Sequence, residues 1–275
     1  MQKFKRTIDF TETWSSFYEM TNSLGEDLKG KSVDKYRYTL YDRALCIFDA
    51  HVIIEKKNNL SVIMILLRSL YEIKIKASKY QDDRNSGIEE ANLEIKKEIE
   101  KFLERVEKGK SITFQILKKH LKDKKFEIKI KGEGTNKRKT LRDNAEQADL
   151  GFDYETLYWL TSLFIHTHPL SLVIEHKEQY PENEIFQILD NLLRDADLVN
   201  INVLGTMLWI TTYLYEDTIS SQTKKKIDGL WEINRELLSK KYEFNWIVDP
   251  NVELGTFRFM TDHGETIEFK RKQRK

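Results

Sequence analysis

The sequence predicts a mainly α fold, a multi-helix bundle with a small C-terminal β-hairpin. Apolar residues recur at helical spacing through most of the chain. Proline occurs three times and first at Pro169, so long helices meet no obstacle in the first half. Strict alternation of apolar and polar residues is confined to short runs, of which 255–270 is the clearest. The division that follows is a helical bundle over residues 1–250, with a basic mobile insert at about 122–145. A β-hairpin with a basic tail covers 251–275.

The elements follow from these patterns in order. Residues 10–29 carry Phe10, Trp14, Phe17, Met20 and Leu24 on a helical period. A second helix is expected from Val33 to about Lys57, and a third from Asn59, with Ser61 near its cap, to about Tyr80. The connector between them is short, which predicts an antiparallel hairpin of helices. Residues 87–108 alternate acids and bases around Ile88, Leu93, Ile95, Ile99, Phe102, Leu103 and Val106, the pattern of an amphipathic helix with a charged outer face. A short helix is expected over Ile112–Leu121, and a short strand over Phe126–Lys131. The loop from Gly132 to Thr140 is expected to be mobile, because it has little apolar content to bury. Asp153 suits the cap of a helix over Tyr154–His168, apolar almost all round and so expected to be central and buried. A further helical stretch is expected from Pro181 to about Glu216, with Gly205 as a break or a close approach, and a last helix from Ser221 to about Lys241.

Composition limits the function classes. Of 275 residues, 40% are apolar and 33% charged, which describes a folded chain with a heavily charged surface. The formal net charge of +1 gives no whole-molecule attraction to nucleic acid or membrane. The charge is uneven, however: residues 118–142 hold eleven Lys or Arg against three acids, a local balance of +8. That stretch reads either as a solvated loop or as a track for a phosphate backbone, with Lys137, Arg138 and Lys139 at its tip. The only cysteine, Cys46, sits in an apolar run and is expected to be a small buried hydrophobe. No signal-peptide pattern and no apolar run of bilayer length is present, so the expected location is the cytoplasm, away from membranes.

Two segments could carry chemistry. In Val62–Glu72, Arg68 follows six apolar residues, and Glu72 lies four residues later on the same helical face. A buried charge is costly unless paired, so an Arg68–Glu72 ion pair is expected. In Tyr154–Pro169, Tyr154, Tyr158, Ser162 and His166 are spaced by four and form one polar stripe. The stripe is either a satisfied polar network or a pocket in which His166 serves as proton carrier or phosphate ligand. For metal, His51 and Glu55 stand at i, i+4, and His166 lies near His168. Di-iron and zinc-protease spacings are missing, so no metal and no cofactor is expected. Walker, dinucleotide and Gly-x-Ser-x-Gly fingerprints are also missing.

The order of Arg43-Ala44, then Leu67-Arg68-Ser69-Leu70-Tyr71-Glu72, then Ser162, His166 and Pro169 resembles a bacterial family catalogued only as a domain of unknown function. Its members share an Arg-Ser-aliphatic-aromatic-Glu helix and a later Ser-x-x-x-His helix. The resemblance covers about residues 35–175 and implies a helical fold without an established reaction. By looser analogy, such proteins resemble the HEPN superfamily of helical-bundle ribonucleases and their inactive relatives. Active members of that superfamily carry an Arg four to six residues before a catalytic His near the start of a helix. The match here, Arg258 to His263, falls in the expected hairpin, and Ser162 stands where an Arg would be expected. A nuclease built this way would need Arg68 to supply positive charge from another helix.

Two function classes stay open at this point. One is a HEPN-like, metal-independent endoribonuclease or RNA-targeting effector, in a toxin or phage-defence setting, with His166, Arg68, Glu72, Ser162 and Tyr158 as its site. The other is a non-catalytic helical interaction or scaffold protein in which the same residues form a structural network. The expected partners are RNA or a protein, and a homodimer is open.

Overall fold

A computed structural model describes residues 6–31, 34–57, 59–82, 84–109, 115–116, 140–148, 150–151, 154, 158–166, 169, 171, 191, 193–242, 245–246, 256–260 and 266–270. The mainly α expectation holds. The helices are α1 (Thr11–Leu28), α2 (Lys35–Ile54), α3 (Leu60–Asp82), α4 (Arg84–Lys108), α5 (Leu141–Gln147), α6 (Trp159–Ile165), α7 (Ala196–Tyr215) and α8 (Ser221–Tyr242). One 3-10 turn, Glu55–Lys57, extends α2.

Local chemistry sets the ends. Asp34 caps α2, its carboxylate accepting from the backbone N–H groups of Tyr36 and Arg37, and Asp195 caps α7 in the same way through Asp197 and Leu198. Gly30, at φ +72°, turns the chain after α1 in a conformation that favours glycine. α5 opens on a capping box, with Thr140 and Asp143 each accepting the other's backbone N–H. That box corrects the extent of the expected mobile insert, because residues 141–145 are helical. The rest of that insert, including Lys137, Arg138 and Lys139, lies outside the described residues, as does most of the expected 112–121 helix.

The centre of the bundle is α7, where sixteen of twenty residues are buried. α2, α3 and α8 pack against it, while α1 packs on α8. The core includes Phe10, Phe17, Phe48, Ile63, Leu70, Leu204, Met207 and Leu214, all fully buried. Rings interlock across α1 and α2, with Phe17 and Phe48 centroids 4.5 Å apart and Trp14 edge-on to Phe48 at 5.2 Å. This placement corrects the expectation that the 154–168 helix is central. α6 lies against α3 and buries Thr161, Leu163 and Phe164, but Trp159 is 54% exposed. Its apolar character is spent on one side only. Cys46 is also corrected: it is exposed, because it sits about 200° around α2 from buried Ala44.

Beyond α8 the backbone pairs antiparallel as β1 (Asn245–Trp246), β2 (Thr256–Met260) and β3 (Thr266–Lys270), in that order. The joining residues 247–255 and 261–265 and all side chains here lie outside the described residues. The connection that would close β2 and β3 into a C-terminal hairpin is therefore an expectation from sequence. Among the described residues, no helix is long and apolar enough to cross a membrane.

Candidate functional site

Arg68 leaves α3 on the side that faces α6. Its neighbours Leu67, Leu70 and Tyr71 are buried, so the guanidinium emerges at the edge of the core with 18% of its side chain exposed. Desolvation at such an edge calls for partners, and α6 supplies them. The Arg68 Nε donates to Ser162 Oγ at 3.0 Å, and Nη2 donates to Tyr158 Oη at 2.6 Å. The Tyr158 ring also lies under the guanidinium, 4.8 Å from centroid to Cζ.

Glu72 closes the circuit. Its Oε1 is 3.0 Å from Arg68 Nη2, and 34% of its side chain is exposed. It also accepts from Tyr158 Oη at 3.3 Å. The Tyr158 hydroxyl thus accepts from Arg68 and donates to Glu72. Burial raises its pKa, helped by the Glu72 charge and opposed by Arg68. Ser162 Oγ donates to the Tyr158 carbonyl at 2.6 Å, which leaves its lone pairs facing Arg68. Tyr154 stacks on Tyr158 at 4.7 Å and extends the polar stripe by one turn.

Four of the five expected site residues therefore meet: Arg68, Glu72, Tyr158 and Ser162. His166 does not join them. It is the exposed residue that ends α6, and its backbone N–H reaches Ser162 O at 3.3 Å. Among the described residues, no hydrogen bond or ion pair ties its ring to Arg68 or Glu72, so the idea that Glu72 orients His166 has no contact behind it. His168, Lys137, Arg138 and Lys139 lie outside the described residues. Arg43, part of the sequence resemblance, is exposed on α2.

Two further clusters escaped the sequence reading. His51 is fully buried. Its Nε2 is 2.8 Å from Asn200 Oδ1, and Asn200 Nδ2 donates to Glu55 Oε1 at 2.7 Å. That donation fixes the amide, so the proton sits on His51 Nε2. Nδ1 is buried with no hydrogen-bond partner among the described residues. Burial lowers the His51 pKa, opposed by the hydrogen bond that His51 donates to Asn200. Arg6 pairs with Glu55, and buried Asp197 accepts from the Thr7 N–H at 3.0 Å and the Thr7 hydroxyl at 2.5 Å. The i, i+4 placement of His51 and Glu55 was visible, but Asn200 and Arg6 are far away in sequence.

The second cluster centres on Arg37, which is 7% exposed. It donates to both Asp217 oxygens at 3.0 Å and to Thr218 Oγ1 at 2.8 Å. Its guanidinium lies 5.4 Å from the Tyr80 ring centroid and 5.3 Å from that of Tyr215. This cluster fastens α2 to α3 and to the end of α7. Among the described residues, no group of three or more His, Cys, Asp or Glu is placed to hold a metal ion.

Comparison with curated proteins and with solved structures gave no match. Comparison with family models gave one that spans the helices α2 to α6 and so contains Arg68, Glu72, Tyr158, Ser162 and His166. It is the model of DUF5677, a family of unknown function; it matches residues 34–181, more than half of the chain, and the chain belongs to that family.

Proposed function

We propose that the protein is an RNA-targeting effector of ribonuclease type, with a toxin or phage-defence role, and that RNA is handled at the polar site between α3 and α6. The observation that carries the reading is a partly exposed guanidinium, Arg68, held by Ser162, with an exposed imidazole, His166, one helical turn beyond Ser162. A guanidinium offers planar donors to a phosphate, and an imidazole exchanges protons near neutral pH. In metal-independent cleavage, the RNA 2′-oxygen attacks phosphorus and the P–O5′ bond breaks, leaving a 2′,3′-cyclic phosphate. His166 accepts the 2′-hydroxyl proton, and water returns one to the 5′-oxygen. Arg68 faces the charge that develops on phosphorus oxygens. Tyr158 and Glu72 are positioning residues that hold Arg68, and Ser162 holds its Nε. Lys137, Arg138 and Lys139 are proposed as phosphate contacts from their charge alone.

A second reading, a non-catalytic scaffold, is favoured by one observation. The Arg68 contacts made by Nε and Nη2 are all internal, to Ser162, Tyr158 and Glu72, as a clamp between α3 and α6 requires. The deciding experiment incubates purified protein with RNA in EDTA and scores growth arrest in cells, for wild type, His166→Ala and Arg68→Ala. Circular dichroism checks each fold. The ribonuclease reading expects cyclic-phosphate ends from wild type and a loss of about a hundredfold or more in His166→Ala. A folded wild type that neither cuts RNA nor arrests growth leaves the scaffold reading in its place.

A further inference from the structure

Trp159 is 54% exposed. It takes no part in the hydrophobic core, although its chain neighbours Tyr158 and Leu160 pack against it. Single exposed hydrophobes are ordinary, but a large exposed indole is less so, and the position of this one is specific. Trp159 lies three residues before Ser162 and seven before His166, so all three fall on one stripe of α6. Ser162 and Tyr158 are the residues that hold Arg68. Ile65, 37% exposed, lies three residues before Arg68 and continues the same surface on α3. The stripe therefore presents, in order, a free aromatic face, an anchored guanidinium and an exposed imidazole.

We infer that this surface takes single-stranded RNA, with Trp159 as the platform on which one unpaired base stacks. The inference rests on the RNA-directed reading above and narrows its substrate class. A free ring face stacks any base and cannot reach a base that is paired inside a duplex. Seven helical residues rise about 10 Å, a distance that a few unpaired nucleotides span. The stacked base and the phosphate at His166 are therefore a few nucleotides apart, and Arg68 is held by Ser162, whose position on α6 is between those of Trp159 and His166. Trp159 is a substrate-positioning residue, and the reaction itself stays with His166.

The test measures anisotropy of a labelled eight-nucleotide uridine oligomer, a two-nucleotide oligomer and an RNA duplex. The proteins are wild type, Trp159→Ala and Trp159→Phe, each checked by circular dichroism and assayed for RNA cleavage. The longer single strand is expected to bind best. Trp159→Ala is expected to weaken it about tenfold or more, Trp159→Phe to restore most of the loss, and duplex binding to be unaffected by either change. Equal binding and equal cleavage by wild type and Trp159→Ala overturns the platform while leaving a ribonuclease in place. A wild type that binds no single strand overturns both. Loss of self-association in Trp159→Ala, with no RNA effect, assigns the ring to a protein contact and also overturns the inference.

Discussion

The Tyr158 hydroxyl is the smallest piece of the site whose removal can be read cleanly. It accepts from Arg68 and donates to Glu72, and its ring stays packed when the oxygen is removed. Tyr158→Phe should cost about 1 kcal/mol in chemical denaturation, with one donor and one acceptor losing a partner. Glu72→Ala should also cost about 1 kcal/mol, since 34% of its side chain is exposed and water can serve the abandoned guanidinium; a fully buried pair would cost about 3–5. A measured loss above about 3 kcal/mol would mean that the pair is sealed in solution. His51 gives a prediction in pH. Its folded pKa is lowered by burial, so protonation favours the unfolded chain. Its stability contribution is complete above about pH 6.5, the ordinary histidine value, and declines as pH falls below it. Asp217, also lowered, acts in a separate window, below the ordinary carboxylate value of 3.8. Thermal melts from pH 8 to pH 5 should fall for wild type and flatten for His51→Gln; parallel curves would remove His51 as the cause. The Arg68–Glu72 pair and the Tyr158–Ser162 stripe were legible in the sequence because each is set by helical spacing alone. The outward turn of His166, the Asn200 link to His51 and the Arg6 link to Glu55 depend on how distant segments meet, which no local period encodes.

At the scale of elements, α1, α2, α3, α4 and α8 fall close to where their periodicity put them. Their signals are local: the apolar period of α1, a stripe on α4, a short connector before α3. The expected central position of the 154–168 helix has a plain cause in its likeness to α7. Both are apolar nearly all round, and periodicity cannot rank two such helices by depth. Contacts separate them: among the described residues α7 meets α2, α3 and α8, whereas α6 meets α3. Gly205 marks the close approach of α7 and α8. A Cβ there would stand 3.1 Å from Asn234 Nδ2 and 3.9 Å from Trp231. An alanine gains up to about 1 kcal/mol of helix propensity, which offsets a crowding that the Asn234 amide can partly relieve. Gly205→Ala should therefore change stability by less than about 1 kcal/mol, whereas Gly205→Leu should destabilise by about 1–3 kcal/mol or more through overpacking. Urea melts of the two variants test this, and a tolerated leucine would show that the two helices are not in close contact. Thr140→Ala should loosen α5 by about 1 kcal/mol through loss of its capping box.

Across the whole molecule, stability is graded from α7 outward, and the gradient can be measured. Opening a helix locally costs the contacts it makes with its neighbours, so burial sets the order in which helices exchange their amide hydrogens. α7 is surrounded, and two of its buried polar side chains tie it in place: Asn200 bonds to His51 and Glu55, and Thr211 donates to the Met207 carbonyl. It cannot move without disturbing α2, α3 and α8 together. α4 is the opposite case. It packs on α3, and Val106 is its buried apolar side chain among the described residues. Ile95 and Phe102 remain 49% and 43% exposed, and ion pairs such as Glu98–Lys101 sit in water, where each contributes little. α6 lies between these extremes, with Leu163 and Phe164 buried and Arg68 bound across to it. Hydrogen exchange followed by mass spectrometry should therefore show α4 exchanging first, α6 next, and α7 only with global unfolding. Tyr158→Phe should move α6 toward α4 in that order and leave α7 where it is, because the lost hydroxyl joins α6 to α3 alone. An α6 that keeps full protection in this variant would show that Leu163 and Phe164, not the Arg68 network, hold it in place.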